Sequence, residues 1–244
     1  MHTALLLAGG KGRRTQGRWD DKIQAPLEGR PVFAWTVNAF VRSKVIDALV
    51  IVVRDAEQQS ALAAIARTLT DLPIIFTDGG NERQDSVRNG LRFAPKDTET
   101  VLIHDAARPL VLPADIARLV DHVRSTQRGA CLAHRVTDTI KRTPGNASGG
   151  LLEDLDRTRL WGMETPQVFP YWQIHDAYES VAREGVTITD DAAAAVHAGH
   201  PVDLIEASAP NPKLTRSEDL AWITFLLHNE PIYATLWEET RHVD

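Results

Sequence analysis

Residues 5–22 read LLLAGGKGRRTQGRWDDK, and the rest of the chain is best understood from this stretch outward. A short apolar run ends in Gly9-Gly10, and the cations Lys11, Arg13, Arg14, Arg18 and Lys22 follow, interrupted by Asp20 and Asp21. Glycine has no side chain, so the backbone there can turn tightly and come close to a ligand. Backbone N–H groups in such a loop form a concave nest for anions, and flanking cations add charge. That chemistry suits a polyphosphate. It is neither of two familiar phosphate loops: Thr15, not glycine, stands three after Gly12, and no Gly-Lys-Ser/Thr follows. Taken alone, the stretch also fits a solvated basic loop after an ordinary strand.

The chain has 244 residues, enough for one large α/β domain with a substantial core. Its 43% hydrophobic and 25% charged content is that of an ordinary globular protein. The net charge of −6 argues against a nonspecific nucleic-acid binder, so the basic stretch is a local feature on an acidic background. A small anionic ligand fits that pattern better than a polyanion. The single cysteine, Cys131, lies in the apolar run GACLAH and reads as a core thiol in a reducing compartment. No stretch approaches the roughly 18 apolar residues of a membrane span. The N-terminus lacks the cationic start and long apolar run of a secretory signal. A cytoplasmic protein with no membrane or nucleic-acid partner is expected.

Near-continuous apolar runs at 4–8, 48–53, 73–77, 100–104, 129–133 and 202–207 read as buried strands. Amphipathic patterns at 32–42, 57–69, 84–93, 113–127, 171–183, 190–197 and 217–227 read as helices between them. Asp85-Ser86 marks one helix start and Pro113 another. The alternation predicts an α/β fold with a mostly parallel sheet covered by helices on both faces. In such sheets ligands bind at the carboxyl ends of the strands.

Residues 136–161 break this rhythm. Two extended runs, VTDTIKRT and LLEDLDRTRLW, flank the turn cluster PGNASGG and read as a protruding β-hairpin arm. Leu151, Leu155 and Arg157 share parity on the second run, so strand geometry points them one way. An isolated hairpin is marginal in water. The leucines therefore need a surface, from the parent domain or from another subunit. The tail HNEPIYATLWEETRHVD reads as a terminal helix packed on the body.

Further polar clusters gather at the predicted strand ends. GGNERQDSV (79–87) offers glycines for close approach to a flat ring, with amides, Asn81 and Ser86 for a base edge. HDAARP (104–109) gives a carboxylate for hydroxyls, room for a sugar, and the cation Arg108. Then come ETPQVF (164–169), ITDDA (188–192) and NPKLT (211–215), contributing Thr165, Thr189, Asn211 and Lys213. Thr189-Asp190-Asp191 is equally a helix N-cap, and His104 at a strand end is equally a structural histidine. His197 and His200 lack the carboxylate of a zinc-protease helix, and no serine sits in a nucleophile elbow.

In order along the chain, AGGKGRR, Lys22, GGNERQDSV, HDAARP, DTIKR, Arg157, TPQVF, TDDA and NPKLT resemble the 2-C-methyl-D-erythritol 4-phosphate cytidylyltransferases. The sister ribitol-5-phosphate cytidylyltransferases share most of these motifs. The resemblance implies one Rossmann-like nucleotidyltransferase domain over 1–244, with an arm near 137–160 and a C-terminal extension near 228–244. It implies transfer of a cytidylyl group from CTP to a sugar-alcohol phosphate, with release of pyrophosphate. Ala8, Gly9, Gly10, Lys11, Gly12 and Arg13 would hold the triphosphate. Gly80, Asn81, Arg83 and Ser86 would hold the base, with Asp105 and Ala106 completing the nucleotide site. Lys22, Lys213 and Arg14 would be the catalytic cations. Asp105, Arg108 and Thr139 would hold the acceptor's hydroxyls, and Arg157, Thr165 and Thr189 its phosphate. Mg²⁺ would be carried mainly on the CTP phosphates, with no protein metal site. The resemblance also implies a homodimer in which the arm crosses to the neighbour. This chain departs from the usual pattern at Asp21, where proline commonly precedes the lysine, and at Glu164, where an apolar residue is usual.

Overall fold

Alternation of side chains along β1 (His2–Leu7) sets the layers of the molecule. Ala4 and Leu6 enter one apolar cluster and Leu5 the other, as the two-residue period of a strand requires. The computed structural model describes residues 1–10, 21–145 and 149–237. After β1 come the paired short strands β2 (Pro26–Leu27) and β3 (Arg30–Pro31), then α1 (Val32–Arg42), β4 (Ala48–Val53) and α2 (Ala56–Arg67). Next are β5 (Ile74–Asp78), α3 (Arg83–Arg92), β6 (Thr100–Asp105), α4 (Pro113–Thr126) and β7 (Gly129–Arg135). The arm carries β8 (Lys141–Arg142) and β9 (Glu153–Asp154), and β10 (Trp161–Pro170) follows it. The chain continues through α5 (Tyr171–Glu184), α6 (Asp191–His197), β11 (Val202–Glu206) and α7 (Asp219–Asn229).

Seven strands form one sheet in the order β11-β7-β10-β6-β1-β4-β5. Only β10 runs antiparallel to its neighbours; the remaining pairs are parallel. Parallel neighbours need long crossovers, and the helices supply them. One face carries α1, α2, α4 and α7 against Ala4, Leu6, Leu49, Ile51 and Leu102. The other carries α3, α5 and α6 against Leu5, Val50, Val52, Val101 and Ile103. Helix α3 lies so close that a Cβ at Gly90 would meet Leu5 Cδ1 at 2.2 Å. Cys131 is buried in this second layer, and burial pushes its thiol pKa up. Among the described residues no helix is long and apolar enough to cross a membrane.

The sequence expectations need several corrections. TPQVF was expected beyond a strand, yet Thr165, Pro166 and Gln167 lie inside the ten-residue strand β10. Proline cannot donate to a ladder and argues against a central strand. Here the ladder to β7 breaks between Met163 and Gln167, which accommodates Pro166 and its cis peptide bond to Thr165. Helix α3 begins at Arg83 rather than at Asp85-Ser86, because Glu82 is its N-cap in a reciprocal capping box with Asp85.

The arm is a hairpin, as expected, but its ladder pairs only Lys141 with Asp154 and Arg142 with Glu153. Arg157 then opens a 3-10 turn, Arg157–Arg159, with Asp156 as its cap. The shared parity of Leu151, Leu155 and Arg157 therefore fails, since no strand connects them. The tail forms the 3-10 helix Pro231–Leu236, burying Tyr233 and Leu236. Trp237 then sits 5.0 Å from Trp35, under the Arg30 guanidinium.

Candidate active site

The carboxyl ends of β1, β4 and β6 are tied at one level of the sheet. Ala8 N donates to Val52 O at 2.9 Å, and Ala106 N donates to Leu7 O at 3.1 Å. Asp105 is the register partner of Leu7, so the two loops leave adjacent strands side by side. A Cβ at Gly9 would lie 3.2 Å from the Val53 carbonyl, which explains a glycine where the loop crosses β4. Lys11, Gly12, Arg13 and Arg14 lie outside the described residues.

Lys22 opens a 3-10 turn, Lys22–Gln24, whose position is fixed by Asp21. The buried Asp21 carboxylate accepts from Ile23 N at 3.2 Å and from Gln58 Nε2 at 2.5 Å. The same Gln58 amide donates to Ala8 O at 3.1 Å. The lysine's turn is thus bolted to the end of β1. Gln58 was not anticipated: a glutamine in the first turn of an amphipathic helix reads as a solvated residue.

Between β5 and α3, a Cβ at Gly80 would come within 2.1 Å of Asp85 Cβ, so no side chain fits there. Ser86 Oγ accepts from Gly80 N at 3.0 Å and donates to Glu82 O at 3.1 Å. Its hydroxyl shapes the loop. Asn81 is exposed beside it.

Charge concentrates at Asp105. Lys213 Nζ donates to one carboxylate oxygen at 2.6 Å, and Arg83 Nε faces the other at 3.4 Å. Burial alone would raise the Asp105 pKa; Lys213 and then Arg83 outweigh it and hold the carboxyl well below its usual range. Arg83 is held in turn by Asp191 through bonds of 2.9 and 2.8 Å. Tyr178 Oη donates to the same carboxylate at 2.5 Å. Burial opposes the Arg83 charge, but Asp191 more than restores it. Tyr178 sits among Ile174, Ala177 and Val181 on the apolar face of α5, so its sequence pattern reads only as core. The Arg83 guanidinium braces the two carboxylates.

His104 is a structural histidine. Its Nε2 faces Arg108 O at 3.2 Å, and a carbonyl can only accept, so Nε2 carries the proton. Nδ1 then accepts from Thr165 Oγ1 at 3.0 Å, and that oxygen accepts from Asp105 N at 3.1 Å. Burial lowers the imidazole pKa to about 3. Thr165 is buried, with its hydroxyl proton engaged by His104. Arg108 Nη1 donates to Asn211 O at 2.6 Å, and Asn211 Nδ2 to Thr165 O at 2.9 Å.

Thr189 is exposed next to Asp190, which caps α6 by accepting from Ala193 N at 2.9 Å. The capping alternative therefore holds for Asp190. Thr139 and Arg157 are exposed on the arm, where Arg157 Nη1 donates to Thr137 O at 2.5 Å.

Glycine-lined loops and braced cations lie at the strand ends of a mostly parallel sheet, and the chain's family match makes this a nucleotidyltransferase. The family model of 2-C-methyl-D-erythritol 4-phosphate cytidylyltransferase (IspD) matches residues 2–229, and the chain belongs to that family. A relative of that name from Geobacillus kaustophilus is 38% identical over 228 residues, covering 93% of this chain and 96% of its own. The crystal structure of the Thermus thermophilus enzyme of that name superposes with a TM-score of 0.73 at 26% identity, over 93% of this chain and all of that one. The 4-diphosphocytidyl-2C-methyl-D-erythritol synthase of Anaerococcus prevotii shares the fold, with a TM-score of 0.82 at 22% identity over 93% and 98% of the two chains.

Proposed function

We propose that this chain, acting as one domain, transfers the cytidylyl group of CTP to 2-C-methyl-D-erythritol 4-phosphate. A phosphate oxygen of the acceptor attacks the α-phosphorus of CTP, the bond to the β-phosphate breaks, and pyrophosphate leaves. The acceptor's second phosphate pKa is about 6, so the nucleophile is ionised at neutral pH and needs no general base. The difficulty is bringing two anions together and stabilising charge as it builds on the α-phosphate.

The observation that carries this reading is the Asp105 cluster: a lysine and an arginine held on one carboxylate at the end of β6. Lys213 is placed to shift from Asp105 toward the α-phosphate, with Lys22 and Arg14 approaching from the loop after β1. The backbone of Ala8, Gly9, Gly10, Lys11, Gly12 and Arg13 receives the triphosphate. Gly80 and Asn81 take the base in the loop that Ser86 shapes, and Ala106 lies beneath the ribose. Arg108 and Thr139 take acceptor hydroxyls, and Arg157 and Thr189 its phosphate, with Thr165 positioning Asp105.

Among the described residues no three His, Cys, Asp or Glu side chains cluster, and both Asp105 oxygens face cations. A Mg²⁺ carried on the CTP phosphates would neutralise phosphate charge there. The protein works as a cytoplasmic homodimer joined through the arm. Among the described residues Leu151 is 95% exposed and Leu152 51%, which supports a partner surface for the arm.

Pyrophosphate release from CTP with a panel of acceptor phosphates tests the reading. Turnover with 2-C-methyl-D-erythritol 4-phosphate at least tenfold above that with ribitol 5-phosphate is expected. Preference for another polyol phosphate would overturn the acceptor, and no pyrophosphate from any of them would overturn the activity.

A further inference from the structure

Beside Arg108, buried polar atoms stand without a hydrogen-bond partner among the described residues: Arg108 Nε, Glu164 Oε2 and Asn211 Oδ1. They belong to one connected set. Arg108 Nη1 holds Asn211 O, Asn211 Nδ2 holds Thr165 O, and Glu164 is the residue before Thr165. Glu164 is only 4% exposed, and its Oε1 accepts from His134 Nδ1 at 2.7 Å across the β7–β10 ladder. The imidazole lies against Gly162, where a Cβ would come within 2.4 Å of His134 Nε2. The sheet thus carries a seat for this histidine, and the histidine holds this carboxylate.

A buried carboxylate with one unpartnered oxygen is costly, and an apolar side chain would fill the space more cheaply. Its neighbour across the set is a guanidinium that burial disfavours and that the carboxylates of Asp105 and Glu164 support. The unpartnered Arg108 Nε and the unpartnered Oδ1 of Asn211, whose backbone Arg108 itself holds, suit a hydroxyl, which can accept from the first and donate to the second.

We propose that Glu164, clamped by His134, is a positioning residue that orients Arg108 for the hydroxylated end of the acceptor. The proposal rests on the reading of Arg108 as an acceptor contact given above. Glu164 acts through its field and through the Thr165–Asn211–Arg108 bonds beside it rather than by touching the reacting phosphates. It is a property of the strand β10 pairing with β7.

The test is steady-state kinetics of Glu164→Gln, Arg108→Lys and the double variant, with KM taken separately for CTP and for 2-C-methyl-D-erythritol 4-phosphate. Glu164→Gln keeps shape and removes charge; its acceptor KM should rise about tenfold while its CTP KM stays within about twofold. In the Arg108→Lys background the same change should raise acceptor KM less than about twofold further, since the two act as a unit. Thermal midpoints within a few degrees of wild type exclude misfolding as the cause, and Glu164→Leu gives a second, apolar variant should the glutamine destabilise the strand. If Arg108→Lys weakens acceptor binding but Glu164→Gln does not, or if the two effects simply multiply, the positioning role is wrong and the acceptor site stands. If neither variant changes acceptor KM, the reading of Arg108 fails and takes this proposal with it.

Discussion

Lys213 Nζ rests on Asp105 Oδ2 at 2.6 Å in the ligand-free chain. The cation assigned to the transition state is therefore held by a carboxylate that aligns it. Charge-stabilising donors of this kind are worth about 10²–10³ in kcat, or about 3–4 kcal/mol. Lys213→Ala and Lys22→Ala should each lower kcat by that factor in a pyrophosphate-release assay. A variant within threefold of wild type removes its lysine from the transition state.

Arg83 reaches Asp105 only because Asp191 holds it from behind, with Tyr178 bracing Asp191. Asp191 is fully buried, so neutralising it leaves a buried amide against the half-buried Arg83 guanidinium. Asp191→Asn should cost about 3–5 kcal/mol and Tyr178→Phe about 1–3 kcal/mol in urea unfolding. Costs below about 1 kcal/mol for both would show that the brace is not structural.

His104 gives the fold a signed pH dependence. Its imidazole is neutral in the folded protein down to a pKa of about 3, whereas the unfolded chain protonates it near 6.5. As pH falls through that window the unfolded state binds a proton that the folded state does not. Stability should decline by about 1.4 kcal/mol per pH unit from this group alone, with no contribution above the window. Unfolding free energies of wild type and His104→Gln between pH 7.5 and 4.5 should converge as the pH drops. Parallel curves would show that His104 titrates normally in the fold.

Arg157 is exposed on an arm whose Leu151 is 95% exposed among the described residues. If the arm serves the neighbouring subunit, mixing inactive Lys22→Ala and Arg157→Ala chains creates heterodimers with one intact site each. Activity should return to about a quarter of wild type after exchange. No recovery, with mass measurements confirming exchange, would place Arg157 in its own subunit's site.

The sheet was legible because its strands are apolar and its helices amphipathic: 48–53 and 32–42 match the strand and helix bounds. β10 was hidden by Gly162, Glu164 and Pro166, which mimic a loop in sequence but sit at a ladder irregularity. Strand parity on the arm misled because it presumes a continuous strand, and a 3-10 turn capped by Asp156 intervenes. The motif residues Asp105, Arg108 and Lys213 could be picked from the chain, but their supports could not. Gln58, Tyr178 and His134 act through contacts made by distant segments, and nothing in their local pattern distinguishes them from solvated or core residues. Thr165 and Ser86 carried the right chemistry for a ligand, yet the fold uses their hydroxyls internally.

The central claim is that Lys22 and Lys213, from loops after different strands, converge on the α-phosphate. A crystal structure with a non-hydrolysable CTP analogue tests it most directly. The account predicts both Nζ atoms at about 2.7–3.2 Å from α-phosphate oxygens, with Lys213 drawn away from or shared with Asp105. Lys213 still bound to Asp105 alone, and both amines pointing away from the bound phosphate, would contradict it.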